Sequence, residues 1–143
     1  MEDGPALKAM YDRFSPKAVA QGLPPEGESQ RRNWVDGLLQ GAENLLAWRG
    51  DLVVGHCALI PDMVRGDAEY IIFVDKSFRN LGLGTALTGG VLVKARALEL
   101  ELIWLCVAVS NFPAVRLYKK FGFRFVDDGS MDRTMHLSLD QGT

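Results

Sequence analysis

The stretch FRNLGLGTAL, residues 78 to 87, places two glycines between a predicted strand and a predicted helix. The strand ends in IIFVDKSF, and apolar residues recur at helical spacing from Gly82 to about Leu98. The N–H groups at the start of such a helix and the positive end of its dipole favour an anion. Gly82 and Gly84 lack the Cβ atoms that would keep a phosphate away, and Arg79 supplies a cation. The turn therefore indicates either a simple bend or a phosphate site.

Two common phosphate-binding patterns do not fit this turn. A P-loop needs Gly-Lys followed by Ser or Thr, which is not found here. A dinucleotide fold needs a third glycine where this chain has Leu87, and its turn follows the strand directly. Two glycines alone are a weak signal, so the rest of the sequence has to decide between a bend and a ligand site.

The chain of 143 residues predicts a single α/β domain over residues 1–143. Apolar spacing predicts a helix over residues 6–14, a second short helix from Ser15 toward Gly22, and a third over residues 29–41. Trp34, Leu38 and Leu39 are expected on the inner face of the third helix. The following elements are predicted to be a hairpin turning at residues 49–51, a strand over 68–74, a helix over 82–98, a strand over 101–109, a helix capped by Asn111, and two closing strands.

This order of elements predicts an α/β sandwich with a mixed, largely antiparallel sheet flanked by helices, not a doubly wound fold. The composition is 48% hydrophobic and 24% charged, with a net charge of −2, so nucleic acid is not an expected partner. Neither a signal peptide nor an apolar run long enough for a membrane is found, which predicts a cytoplasmic protein. Cys57 and Cys106 match no metal motif, so we expect buried reduced thiols and no metal.

A second motif follows the glycine turn in SNFPAVRLYKKFGFRFV. Together with R-x-x-G-x-G, it resembles the GNAT superfamily of N-acetyltransferases over roughly residues 45 to 128. The family's second signature matches Asn111, Ala114, Leu117-Tyr118 and Gly122-Phe123. The resemblance implies an enzyme that uses acetyl-CoA as co-substrate, with the pyrophosphate held at the glycine turn.

The resemblance also implies that two central strands, residues 69–74 and 102–109, splay apart and admit the pantetheine arm. Backbone groups of Phe73 and Val74 would hold its amides and the thioester oxygen, and Asn111 would orient it. The residues expected around the pyrophosphate are Arg79, Asn80, Leu81, Gly82, Leu83, Gly84 and Thr85.

Tyr118 matches the position that supplies the family's proton donor to the departing thiolate. It also lies on an apolar helix face with Ala114, Leu117 and Phe121, where a buried hydroxyl needs a partner. A core aromatic residue and a general acid are thus both compatible with this position, and the motif favours the acid.

The general base has several candidates. A lysine acceptor is only about one part in 2,500 neutral at pH 7, so a base is useful. Ribosomal-protein acetyltransferases use a glutamate where this chain has Cys106. Bacterial Pat-type protein-lysine acetyltransferases carry Ala-Glu where this chain has Ala68-Glu69, and MYDRFSP resembles the same branch. Glu69 is therefore the expected base. His56 is a lesser candidate, bulk water is the alternative to both side chains, and His136 is expected to be structural.

The hypothesis with most support is an N-acetyltransferase that acts by direct transfer in a ternary complex, with a protein lysine as acceptor. A small-molecule amine is the alternative acceptor. A catalytically silent acyl-CoA-binding module would need the glycine turn but neither Glu69 nor Tyr118, and a purely structural domain would need neither motif.

Overall fold

The computed structural model describes residues 3–14, 24–126 and 132–139. The short helix predicted between Ser15 and Gly22 lies outside these ranges. The helices and strands in chain order are α1 Asp3–Arg13, α2 Glu28–Gly41, β1 Glu43–Arg49, β2 Leu52–Asp62, β3 Asp67–Val74, α3 Leu83–Ala97, β4 Leu102–Ala108, α4 Phe112–Lys120, β5 Arg124–Phe125 and β6 Asp132–Ser138, with a short 3₁₀ turn at Lys76–Phe78.

The six strands form one sheet in the order β1-β2-β3-β4-β6-β5. All neighbours are antiparallel except β3 and β4, which run parallel. Helix α3 is the crossover between these two strands, because a parallel connection has to return to the starting end of the sheet. The prediction of a mixed, largely antiparallel sheet flanked by helices is confirmed.

Apolar side chains cover both faces of the sheet, because successive residues of a strand point to opposite sides. On one face, Tyr70 of β3 packs with residues of α3, β4 and α4 in the larger cluster of the core. On the other face, Phe73 of β3 packs with residues of α1 and α2. The first face includes Leu87, Val91, Ile103, Leu105, Tyr118 and Met135, and the second includes Leu7, Met10, Tyr11, Phe14, Val35 and Val53.

The inner face of α2 differs from the prediction. Its buried residues are Arg31, Val35 and Leu38, whereas Trp34 and Leu39 are only half-buried. Arg31 tolerates burial because its Nη2 donates to Asp12 Oδ1 of α1 at 2.9 Å and its Nη1 donates to the Glu26 carbonyl at 2.7 Å. Apolar periodicity could not find this position, because the burial depends on a carboxylate that another helix supplies.

Candidate active site

A narrow cleft opens where β3 and β4 separate. Their pairing covers only three positions, from Asp67 opposite Leu102 to Glu69 opposite Trp104. Beyond that point β3 continues to Val74 and keeps its antiparallel pairing with β2, while β4 keeps its pairing with β6. The cleft has a volume of about 30 Å³, and its lining residues are Glu69, Tyr70, Ile71, Ile72, Phe73, Cys106 and Tyr118. The predicted splay of these strands is confirmed.

The register of β3 decides which backbone groups face the cleft. The Asp75 N–H donates to the Val54 carbonyl at 2.8 Å, and Val74 lies opposite Gly55. In an antiparallel ladder this pattern makes Phe73 and His56 a directly bonded pair, so the Phe73 N–H and C=O face β2. The groups of Ile72 and Val74 face the opposite way, toward β4. The open edge of β3 is therefore formed by Ile72 and Val74, with Phe73 between them.

Arg79 lies between this edge and helix α1. Its Nε donates to the Val74 carbonyl at 2.9 Å, and its guanidinium lies 5.4 Å from the ring centre of Phe14. A guanidinium above an aromatic ring is a favourable cation–π arrangement. Arg79 is thus placed at the predicted turn, and it also ties the end of β3 to the end of α1.

The glycine turn has the backbone geometry that the sequence predicts. Gly82 is the N-cap of α3 with φ of 84°, and Asn80 also has a positive φ, of 65°. Leu81, between them, is exposed. The first backbone bond across the cap is from the Ala86 N–H to the Gly82 carbonyl. The N–H groups of the three preceding residues therefore have no partner within the helix. They belong to Leu83, Gly84 and Thr85.

Gly84 also has a packing role. A Cβ at this position would lie 3.1 Å from Leu117 Cδ2 of α4, whereas one at Gly82 would meet nothing within 4 Å. Glycine is favoured at position 82 because the backbone there is left-handed, and the glycine at position 84 allows α4 to approach α3 closely. The two glycines thus have separate local causes, in addition to any phosphate that they would admit.

Lys120 is a basic residue at this turn that sequence reasoning missed. It ends α4, and its Nζ donates to Thr85 Oγ1 at 3.0 Å. Asn111 begins the same helix as predicted, and its Oδ1 accepts a hydrogen bond from the Ala114 N–H at 3.3 Å. The sequence identifies both ends of α4, but only the tertiary structure brings its last residue to the start of α3.

Tyr118 is buried between α4 and the sheet, and it lines the cleft. Its ring packs against Tyr70 and Phe123. Among the described residues the Tyr118 hydroxyl has no hydrogen-bond partner, whereas the Tyr70 hydroxyl is bonded to Thr88 Oγ1 at 2.8 Å. Burial raises the pKa of Tyr118 above its usual value, so its hydroxyl keeps its proton at neutral pH.

Glu69 lies at the mouth of the cleft, at the last position where β3 pairs with β4. It is half-buried and points to the same face as Ile71 and Phe73, opposite to Tyr70. Desolvation raises the pKa of the Glu69 carboxyl. The strand register places Trp104, His136 and Arg124 on this same face, in one row with Glu69. The carboxylate lies at one end of this row, whose other members are half-buried or exposed polar and aromatic residues.

The other base candidate, His56, is a structural residue. It is fully buried, and both ring nitrogens are engaged: Nδ1 lies 2.7 Å from the Tyr11 hydroxyl, and Nε2 lies 2.7 Å from Asn44 Oδ1. Asn44 Nδ2 donates to two backbone carbonyls, so Oδ1 is an acceptor and His56 Nε2 carries the proton. Burial lowers the pKa of His56 to about 4. The chain of bonds holds the ring neutral and away from the cleft.

The two cysteines differ in their environments, and neither forms a disulfide. Cys57 is fully buried, and burial raises the pKa of its thiol to about 12. Cys106 is half-buried and lines the cleft, so the expectation of a buried thiol is wrong for this residue. It lies on β4 two residues after Trp104, on the same face of the sheet as Glu69.

Two features are absent from the described ranges, a metal-binding cluster and a membrane-spanning helix. No group of three His, Cys, Asp or Glu side chains within residues 3–14, 24–126 and 132–139 is arranged to hold a metal ion. In the same ranges, no helix combines the length and the apolar character that a bilayer crossing requires.

The sheet is open and split at its parallel pair, and a helix N-terminus lies at one end of the split. The profile of the acetyltransferase (GNAT) family matches residues 7–123, and the chain belongs to this family. A solved structure with the same fold is the GNAT domain of S. lividans PAT, with a TM-score of 0.81 at 13% identity over 97% of this chain and 86% of that chain.

Curated relatives are similar over shorter segments. The chain is 41% identical over 68 residues to an N-alpha-acetyltransferase of Sulfolobus acidocaldarius. The matched segment covers 47% of this chain and 40% of the relative. It is 32% identical over 124 residues to a mycothiol acetyltransferase of Thermobispora bispora, which covers 82% of this chain and 41% of the relative. The matches thus span about two fifths of the length of these relatives.

Proposed function

We propose that this chain is an acetyl-CoA-dependent N-acetyltransferase that moves an acetyl group to a primary amine by direct transfer in a ternary complex. The observation that carries the proposal is the cleft between β3 and β4, which Glu69 and Tyr118 line from opposite faces of the sheet. A thioester in this cleft would have a base on one side and a proton donor on the other. Membership of the GNAT family supports this assignment.

In this proposal the donor lies along the open edge of β3. Its amides pair with backbone groups of Ile72 and Val74 beside Phe73, as an added strand pairs with a sheet edge. Its pyrophosphate lies against the free N–H groups at the start of α3, where the helix dipole favours an anion. Asn111, at the start of α4, orients the pantetheine arm. The turn residues that surround the pyrophosphate are Arg79, Asn80, Leu81, Gly82, Leu83, Gly84 and Thr85.

Each of the two titratable side chains has one proton to move. Glu69 takes a proton from the incoming ammonium, directly or through one water, and desolvation raises its pKa, which makes the carboxylate a stronger base. The amine nitrogen then bonds to the acetyl carbon as the C–S bond breaks. Tyr118 gives its proton to the departing sulfur, and its raised pKa ensures that the proton is present.

We propose a protein lysine as the acceptor. A lysine amine has a pKa near 10.4, so it gains most from a base that is partly desolvated and placed at the cleft mouth. The second candidate is an α-amine, which the sequence similarity to an N-alpha-acetyltransferase favours. Its pKa near 8 leaves it less dependent on Glu69. The two candidates therefore differ in how strongly the reaction should depend on this carboxylate.

The test uses acetyl-CoA with three acceptor pools: lysine peptides with blocked N-termini, lysine-free peptides with free N-termini, and small-molecule amines. Free thiol release gives the rate, mass spectrometry locates the acetyl group, and the Tyr118→Phe variant is the matched control. Lysine acetylation that depends on Tyr118 supports the proposal. N-terminal or small-molecule acetylation moves the acceptor to another class. Binding of acetyl-CoA without any transfer would identify a silent acyl-CoA-binding module instead.

A further inference from the structure

The face of the sheet that carries Glu69 is covered unevenly. The core cluster under α1 and α2 contains no described residue of β4, β5 or β6. On that half of the face, Trp104 of β4 and His136 of β6 lie opposite each other and are half-buried. Arg124 of β5 lies opposite His136 and is exposed. This less covered area begins directly beside Glu69, which lies opposite Trp104.

An open cavity of about 490 Å³ lies at the far end of this area, and its lining includes Arg124, His136 and Ser138. The cavity forms where the sheet becomes incomplete. Strand β5 pairs with β6 at only two positions, and Arg124 opposite His136 is the last of them in the direction of Ser138. Strand β6 therefore continues beyond its neighbour. The volume lies in the range that is usual for ligand pockets.

The polar groups of this cavity have no partner within the described part of the chain. The Arg124 guanidinium forms no ion pair there, and none of the described lining residues is acidic. The Leu139 N–H donates to the Glu101 carbonyl just before β4, so the N–H and C=O of Ser138 point the other way, toward the cavity. The cavity thus offers a cation and a free strand edge.

The sheet geometry fixes how far this cation lies from the proposed base. Glu69 and Arg124 are three strand steps apart, through Trp104 and His136. Neighbouring strands are about 4.8 Å apart, so the Cα atoms of the two residues are separated by about 14 Å. An extended peptide rises about 3.3 Å per residue and spans this distance in about four residues. The half-buried indole of Trp104 lies between them as an apolar surface for the peptide.

We infer that this area is the binding surface for an acidic protein segment, in which a carboxylate about four residues from the acceptor amine pairs with Arg124. The inference rests on the proposed function, because it takes Glu69 as the group that receives the proton of the amine. Charge complementarity identifies the occupant, since a planar guanidinium binds a carboxylate through two parallel hydrogen bonds. Glu69 itself repels a carboxylate that directly neighbours the acceptor amine. Arg124 is thus a specificity residue whose effect depends on position.

The experiment uses peptides that carry one acceptor lysine and a blocked N-terminus. Aspartate, asparagine or arginine is placed four residues from the lysine on either side, and a second set places it next to the lysine. A lysine-free set with a free N-terminus places it at the fifth residue. The variants are Arg124→Gln and Arg124→Glu. The matched control is Arg96→Gln, which removes an exposed arginine from α3 on the opposite face.

We expect wild-type kcat/KM to be higher with the distant aspartate than with the distant asparagine by about threefold or more, as for a partly exposed ion pair. Arg124→Gln should abolish this preference, and Arg124→Glu should reverse it in favour of the distant arginine. Arg96→Gln should keep the wild-type preference. The KM for acetyl-CoA should be unchanged in all three variants, because Arg124 and Arg96 lie outside the cleft between β3 and β4.

Equal use of the distant aspartate and asparagine peptides by the wild-type chain would overturn the inference, as would a preference that persists in Arg124→Gln. Acetylation confined to small-molecule amines would also overturn it. A dimer in sedimentation that Arg124→Glu dissociates would assign the surface to a second copy of this chain instead. Absence of thiol release with every acceptor would refute the proposed function itself, and the acceptor surface with it.

Discussion

Glu69 and Tyr118 line one cleft from opposite faces of the sheet. Glu69 points to the face of β3 that α1 and α2 cover, and Tyr118 belongs to the cluster under α3 and α4. They can share a cleft because β3 and β4 stop pairing after Glu69 and Trp104. In the proposed reaction Glu69 thus accepts the proton of the acceptor amine on one side of the sheet, and Tyr118 protonates the leaving sulfur on the other side.

The Tyr118→Phe variant tests the proton donor. We expect kcat to fall roughly 100-fold with little change in the KM for acetyl-CoA, because the ring and its packing remain. Stability should change little, since the hydroxyl has no partner among the described residues. The matched control is Tyr70→Phe, which breaks the bond to Thr88 and should cost about 1 kcal/mol of stability while keeping most of kcat. Wild-type turnover by the Tyr118 variant would reassign this tyrosine to the core.

The Glu69→Gln variant tests the base through its pH dependence. Wild-type kcat/KM should rise with pH through the raised pKa of Glu69, because only the carboxylate accepts a proton. The variant should lose roughly 100-fold at pH 7. The loss should shrink toward pH 9, where more of the amine is already neutral. Equal pH–rate profiles for the two proteins would exclude Glu69 as the base.

The same variant has an expected effect on stability. A carboxyl whose pKa is raised on folding binds more protons in the folded state than in the unfolded state. Its contribution to stability therefore falls as pH rises from the unfolded-state pKa through the folded-state pKa. Glu69→Gln should therefore leave the free energy of unfolding unchanged or higher at pH 7 and above. A large loss of stability in denaturant unfolding would mean that the carboxylate has a structural partner.

His56 predicts a pH dependence of stability that is independent of catalysis. Its pKa is about 4 in the folded protein and about 6.5 when exposed, so the unfolded chain takes up the proton first as pH falls. This residue should therefore cost the folded state about 3 kcal/mol between pH 6.5 and pH 4. His56→Leu should be destabilised at pH 7, because it leaves Tyr11 and Asn44 without their partner, and the deficit should shrink toward pH 4. A deficit that does not change with pH would contradict the neutral, buried histidine.

Gly84 requires a double-mutant test, because it contacts Leu117 as well as the proposed phosphate site. Gly84→Ala should weaken CoA binding at least tenfold, whereas the helix itself tolerates alanine well. The new Cβ would also lie 3.1 Å from Leu117 Cδ2, so Leu117→Ala is combined with it and tested alone. A loss of affinity that persists in the double variant supports a steric conflict with the phosphate. Recovery of affinity would mean that Gly84 serves only the packing of α4.

The sequence was most informative where local pattern determines structure. Gly82 marked the start of α3, Asn111 the start of α4, and the alternation of β3 separated Glu69 from Tyr70. It was least informative where the outcome depended on distant partners. Burial of Arg31 depends on Asp12 of another helix, and the neutral state of His56 depends on Tyr11 and Asn44.

The same limit applies within the candidate site. A motif can suggest that the backbone near Phe73 is used, but only the pairing with β2 shows that the neighbours of Phe73 form the open edge. The contact of Lys120 with Thr85 joins the end of one helix to the start of another. No periodicity in the sequence encodes that distance, because it follows from how α3 and α4 cross.

The short pairing of β3 with β4 divides the sheet into two three-stranded halves, β1-β2-β3 and β4-β6-β5, that share a seam of only three residue pairs. A donor whose amides pair with the strands where β3 and β4 do not pair with each other would connect the two halves by hydrogen bonds. The donor would then be a structural member of the sheet during turnover, and product release would require breaking its hydrogen bonds to the strands. Affinity for the donor and rigidity of the sheet would thus be two measures of the same hydrogen bonds.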